Sequence, residues 1–184
     1  MLIVDVADVG NVAMARMLRE GIVTQLGPRS ALPYDVETTP AIRARSIAPL
    51  VPRHTVLSGL AGLWVWREGG FPPKVTVVGE RGLHRTASAH VGFHSGLTWR
   101  VPSTNVSGVR VAPLTRCCMD ALRWEDHRAG IPAIAGVIVA GATTVAELDR
   151  EAAREDTRGG GYRRLSSVWG ALRATLVCSS NLPG

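Results

Sequence analysis

His84, His90 and His94 fall within eleven residues and form the one grouping in the chain that resembles a metal site. If HVGFHSG is a strand, His90 and His94 share a face, because strand side chains alternate with period two. Zinc ligation uses more closely spaced pairs, and neither cysteine nor carboxylate stands nearby in sequence, so no metal and no other cofactor is expected. Cys117 and Cys118 would point about 100° apart on a helix and cannot chelate one ion together, which leaves them as packing residues. A metal-dependent nuclease needs clustered carboxylates beside a lysine, yet Lys74 is the only lysine and stands between Pro73 and Val75. A nucleotidyltransferase needs two carboxylates one residue apart on a strand after a Gly-Ser turn, and no Asp-x-Asp or Asp-x-Glu has that setting. Ser58 lacks the glycine two positions earlier that a nucleophile elbow uses and reads as a helix cap or packing serine. Gly159-Gly160-Gly161 is not followed by the Lys-Ser/Thr of a phosphate loop and reads as a hinge. Trp124-Glu125-Asp126-His127 lies where a helix should end and reads as a polar cap and loop. No catalytic constellation results, and the protein is expected not to be an enzyme.

The composition alone does not reveal a function. With 184 residues and 46% hydrophobic residues, the chain can bury a core. It contains no apolar run of membrane-spanning length, no secretory leader pattern, and an odd number of cysteines, three, so a cytoplasmic location is expected. The net charge is +6, carried almost wholly by arginine, and favours an anionic partner, although a high-GC genome enriches arginine whether or not anything binds it. Its distribution is uneven: residues 1–39 hold three arginines against five acids, a net of −2, whereas residues 40–130 carry +7.

The elements that must position these residues follow from punctuation and period. DVGNVAMARMLRE places Val12, Ala13, Met17 and Leu18 near helical spacing, and Gly21 stands where a helix stops. The short β-prone runs IVTQL and ALPY flank the turn cluster Gly27-Pro28-Arg29-Ser30 and predict a hairpin. A helix followed by a hairpin is the back half of a winged helix. Pro40 suits the first turn of a helix over AIRARSIAPLV, and LSGLAGLWVWREGG reads as a helix rich in small residues. Strands are expected at KVTVVG, HVGFHSG and Gly108 to Ala112. A helix then starts at Pro113, carrying Asp120 inside it and Arg116 to Arg123 on its outer side. Helical patterns continue to the C-terminus: IPAIAGVIVAG, expected to be buried; TTVAELDREAARE, opened by a capping box between Thr144 and Glu147; and GYRRLSSVWGALRATLV, amphipathic. The fold class is α+β: a partial winged helix over residues 1–39, then a small mixed sheet packed with helices over residues 40–184.

The ordered series MLREGIVTQLGPRSALPY, PAIRARSIAPLVP, VLSGLAGLWVWREG, VTVVG, HVGFHSGL, GVRVAPLTRCCMDAL and RGGGYRRLSSVWGALRA resembles the actinobacterial AbiEi-type antitoxins of type IV toxin–antitoxin systems. It is similar too to the front half of relatives that continue into a very-short-patch-repair-like endonuclease domain. The resemblance implies an antitoxin-like regulator that binds double-stranded operator DNA, with a nucleotidyltransferase toxin as a possible partner and a homodimer as a possible assembly. On that footing Arg16 and Arg19 would face DNA from the recognition helix, Gln25 and Arg29 from the wing, and Arg43 and Arg45 would add phosphate contacts. The chain departs from the family in two respects. The residues before Gly21 have room for one helix where a complete winged helix has more, and no endonuclease-like tail follows the last helix. The alternative implied by these departures is a truncated, non-catalytic protein interaction module.

Overall fold

A computed structural model describes residues 3–67, 69–80, 90–95, 102–155, 157 and 161–180. Asp5 closes the first strand, β1 (Val4–Asp5), and caps α1 (Val6–Val9), its carboxylate accepting the Ala7 N–H at 2.7 Å. Gly10 follows with φ 81°, a left-handed backbone that disfavours a side chain, and so divides the predicted single helix into α1 and α2 (Asn11–Arg19). The expectation of one helix before Gly21 is thereby corrected to a strand and two helices. The hairpin strands β2 (Val23–Gln25) and β3 (Ser30–Pro33) pair antiparallel, Val23 opposite Pro33, and β1 pairs along the other edge of β3. The resulting order β1-β3-β2, with α1 and α2 between the first two strands in sequence, is a winged-helix arrangement.

Both faces of β3 are buried. Ala31 packs with Met14 and Val23 beneath α2, whereas Leu32 joins Leu26, Ile47, Leu57 and Val65 in a larger core. The hairpin therefore shares its interior with segments beyond residue 39. α3 (Pro40–Ile47) begins at Thr39, whose hydroxyl accepts the Ile42 N–H at 3.3 Å, with Pro40 in the first turn as the pattern predicts.

A second sheet holds β4 (Val56–Leu57), β5 (Val75–Gly79), β6 (Val91–Ser95), β7 (Thr104–Val106) and β8 (Val109–Val111) in the order β6-β5-β4-β8-β7. Parallel pairs β5/β6 and β4/β8 meet antiparallel ones, so the sheet is mixed, as expected. α4 (Gly59–Trp66) follows β4, and α5 (Leu114–Trp124) follows β8. α6 (His127–Val139), α7 (Val145–Ala153) and α8 (Tyr162–Ser180) complete an α+β protein. No helix among the described residues is long and apolar enough to cross a membrane.

Two expectations about burial are overturned. Every residue from Arg116 to Arg123 is buried, so α5 has no outer charged side: α4 covers one flank, and α6, α7 and α8 cover the rest. α6, expected to be buried by its apolar composition, is half exposed, with only Gly130, Ile134 and Val137 inside and Val139 86% exposed. The capping box at Thr144 forms as predicted, with Thr144 Oγ1 accepting from Glu147 N at 3.2 Å and Glu147 Oε2 from Thr144 N at 2.9 Å.

Candidate nucleic-acid interface

The sequence of α2 divides its surface cleanly. Ala13, Met14, Met17 and Leu18 turn toward β2 and β3, and Asn11, Val12, Ala15, Arg16 and Arg19 stand exposed on the opposite side. Spacings of one, four, five and eight residues put these five on one helical face. Arg16 keeps 70% of its side chain exposed while pairing with Glu20 through a 2.7 Å contact between Nε and Oε1. Such an exposed pair is worth a few tenths of a kcal/mol and yields readily to a competing anion. Asn11 and Val12 complete the face: Asn11 was not selected from the sequence, and Val12, grouped there with the apolar residues Ala13, Met17 and Leu18, is corrected to the exposed side. The signal available for them was their spacing from Arg16 and Arg19.

The wing residues separate. Arg29 is exposed in the hairpin turn beside Pro28. Gln25 is exposed too, but its amide closes the turn, donating to the Gly27 carbonyl at 3.3 Å. Gly27 is packed so tightly against Phe71 that a Cβ there would lie 3.3 Å from the ring. The turn is thus seated on the second region, where Gln25, Arg43, Trp64 and Phe71 border a cleft of about 750 Å³. Trp64 and Phe71 meet edge to face, their centroids 5.0 Å apart, which stiffens that floor.

Arg45 is exposed on α3, whereas Arg43 is buried, with 4% of its surface accessible. Its Nε donates to the Val65 carbonyl at 3.1 Å, in the last turn of α4, where backbone acceptors lack helical partners. The expected phosphate contact from Arg43 is therefore corrected: the residue caps α4. Helix period alone assigned it outward, but α3 is covered on two sides, by the hairpin core and by α4.

The remaining ionisable groups build the interior. Arg116 pairs with Asp120 at 2.9 Å and with Glu155 at 2.5 Å, and Arg123 pairs with Glu155 at 2.6 Å. Ser58 donates its hydroxyl to Asp120 at 2.6 Å rather than capping α4. Two guanidinium groups and one carboxylate of α5 and the carboxylate of Glu155, beyond α7, neutralise one another in the interior, the condition under which buried charge is tolerated. Burial, with Cys118 and Asp120 close by, holds the Cys117 thiol well above its usual range, and burial pushes Cys118 up to about 12, so both cysteines are packing groups. Glu125 ends α5 and Asp126 caps α6, in keeping with the reading of Trp124 to His127 as a cap. His94 stacks on Trp124 with centroids 4.0 Å apart. His84 lies outside the described residues, among which no group of three or more His, Cys, Asp or Glu is placed to hold a metal ion.

These features define an α+β protein with a winged-helix-like unit whose second helix carries an open face of Asn, Arg and small apolar residues. No protein-family model matches the chain, and no curated protein does. Among solved structures, it is similar to the crystal structure of the RV2827C protein from Mycobacterium tuberculosis, at 10% identity and a TM-score of 0.42, covering 100% of this chain and 78% of that one.

Proposed function

We propose that the protein is a non-catalytic, antitoxin-type regulator that binds double-stranded DNA of its own operon through α2. The observation that carries this reading is the outward face of α2, where Asn11, Arg16 and Arg19 stand together on a helix seated over the β1-β3-β2 sheet. Asn and Arg present the hydrogen-bonding groups that read base edges in the major groove, and exposed Arg29 and Arg45 extend the reach to phosphates. Two copies on a two-fold symmetric operator and a nucleotidyltransferase toxin as protein partner belong to the same proposal.

A second reading, a protein interaction module without DNA activity, draws on the charge of the N-terminal unit. Residues 1–39 are net −2, and Glu20 already occupies Arg16. Both bear on affinity for a polyanion.

A salt titration separates the two. The protein is titrated against DNA from upstream of its own gene, with scrambled DNA of equal length as control. The regulator binds the upstream DNA preferentially, and affinity falls linearly on a log–log plot against salt as phosphate contacts release counterions. Equal or absent binding to the two duplexes overturns the regulator reading in favour of the interaction module.

A further inference from the structure

Val12 is 86% exposed, more than any other large apolar side chain among the described residues of the N-terminal unit. Its position on a solvent-facing helix has no internal rationale, since a β-branched side chain is a weaker helix former than alanine and here buries almost nothing. At about 100° per residue, Ala15, Arg19 and Val12 occupy the middle of the outward face of α2, and Asn11 and Arg16 its two edges. This face has Arg19 at its centre between the small Ala15 and the apolar Val12, with an amide and a second guanidinium at its edges, and the Cβ-only side chain of Ala15 lets the helix approach a surface closely.

Thymine is the only base that presents a methyl group in the major groove, and adenine beside it offers the N6 donor and N7 acceptor that match a side-chain amide. We infer that α2 reads a thymine-containing step, with Val12 packed on the thymine C5-methyl and Asn11 paired to adenine, so that the preferred duplex carries A·T pairs where α2 enters. The inference rests on the DNA-binding reading above and names the base that Val12 selects. Arg16 and Arg19 supply the adjacent polar contacts.

Duplexes enriched by the full-length protein from a random-sequence pool provide the probe. The strongest is resynthesised with deoxyuridine replacing each thymine in turn, which removes one methyl and leaves every hydrogen-bonding group. The expected result is a loss of about fourfold in affinity at one or two positions, the size of one buried methyl contact. Val12→Ala should bind the thymine and uracil duplexes equally while retaining the wild-type melting temperature, as befits an exposed site. Wild-type affinity indifferent to uracil at every position overturns the thymine inference and leaves DNA binding by α2 intact. Failure to enrich any duplex overturns both and assigns the face to a protein partner.

Discussion

The Glu125 carboxylate accepts the backbone N–H of Leu60 at 2.8 Å, so the first turn of α4 is capped by a residue 65 positions away in the chain. Arg43 does the same at the other end, through the Val65 carbonyl. An acceptor at the N-terminus and a donor at the C-terminus satisfy backbone groups that a helix leaves without internal partners. α4 needs both, because it spans eight residues and is too short to be stable alone. Sequence-local capping is absent at Ser58, whose hydroxyl is committed to Asp120.

Glu125 imposes a pH dependence. Burial raises its pKa to about 7, outweighing the hydrogen bonds from Leu60 and Thr76 and helped by nearby Asp120. An unfolded glutamate titrates near pH 4.3, so between roughly pH 4.3 and 7 the folded state holds the extra proton, and stability falls as pH rises. The contribution is present below the unfolded pKa and is lost through about pH 7. Urea denaturation of Glu125→Gln should lose this slope, on the order of 2 kcal/mol after allowing for solvent screening. A slope identical to wild type would show that Glu125 does not titrate in this range.

Gly59 is required by space and by backbone. Its φ is 59°, and a Cβ would stand 2.0 Å from Glu125 Oε1. Gly59→Ala should cost about 2 kcal/mol or more, combining left-handed strain with a displaced cap. Thermal unfolding is the measurement, and a gain in stability, as helix propensity alone would give, contradicts the geometry. Gly62→Ala should be destabilising as well, since its Cβ would meet Cys117 Sγ at 2.4 Å.

Asp120→Ala removes one carboxylate from the buried network of Arg116, Arg123 and Glu155 and leaves Ser58 without its acceptor. The expected loss is about 3 kcal/mol of unfolding free energy. DNA or partner preference should not change, and an unaltered melting temperature would mean that the network contributes nothing net.

Arg43 and Arg45, two residues apart, should respond oppositely. Arg43→Ala destabilises by about 2 kcal/mol through the lost buried hydrogen bond to Val65, measurable in urea. Arg45→Ala leaves stability within about 0.5 kcal/mol and lowers the salt slope of DNA binding by about one. A drop in salt slope with Arg43→Ala, at unchanged stability, would contradict its burial.

Arg16 and Arg19 test the interface itself. Their joint replacement by Ala should remove specific DNA affinity yet shift stability by less than about 1 kcal/mol, because Arg16 has only an exposed partner in Glu20. Undiminished binding would exclude α2 as the reading helix.

What the sequence determined by itself was local. The hairpin at Gly27 to Ser30, the stop at Gly21, Pro40 in a first turn and the Thr144–Glu147 capping box depend on groups within about four residues of one another, and each formed as read. The α+β class followed from the same signals. Tertiary structure alone decided which faces were covered. Helix period places Arg43, Arg116 and Arg123 on a second face, but period cannot say whether another element lies over that face. Here α4 lies beside α3, and α7 and α8 lie over α5, so these arginines became internal and were paired. The reverse holds at α6, where apolar composition suggested burial and the packing covers one side. On α2 Met17 and Leu18 were legible as inward-facing, but Val12, grouped with them by spacing, is exposed and Met14 is the buried residue, because exposure is set by residues distant in sequence.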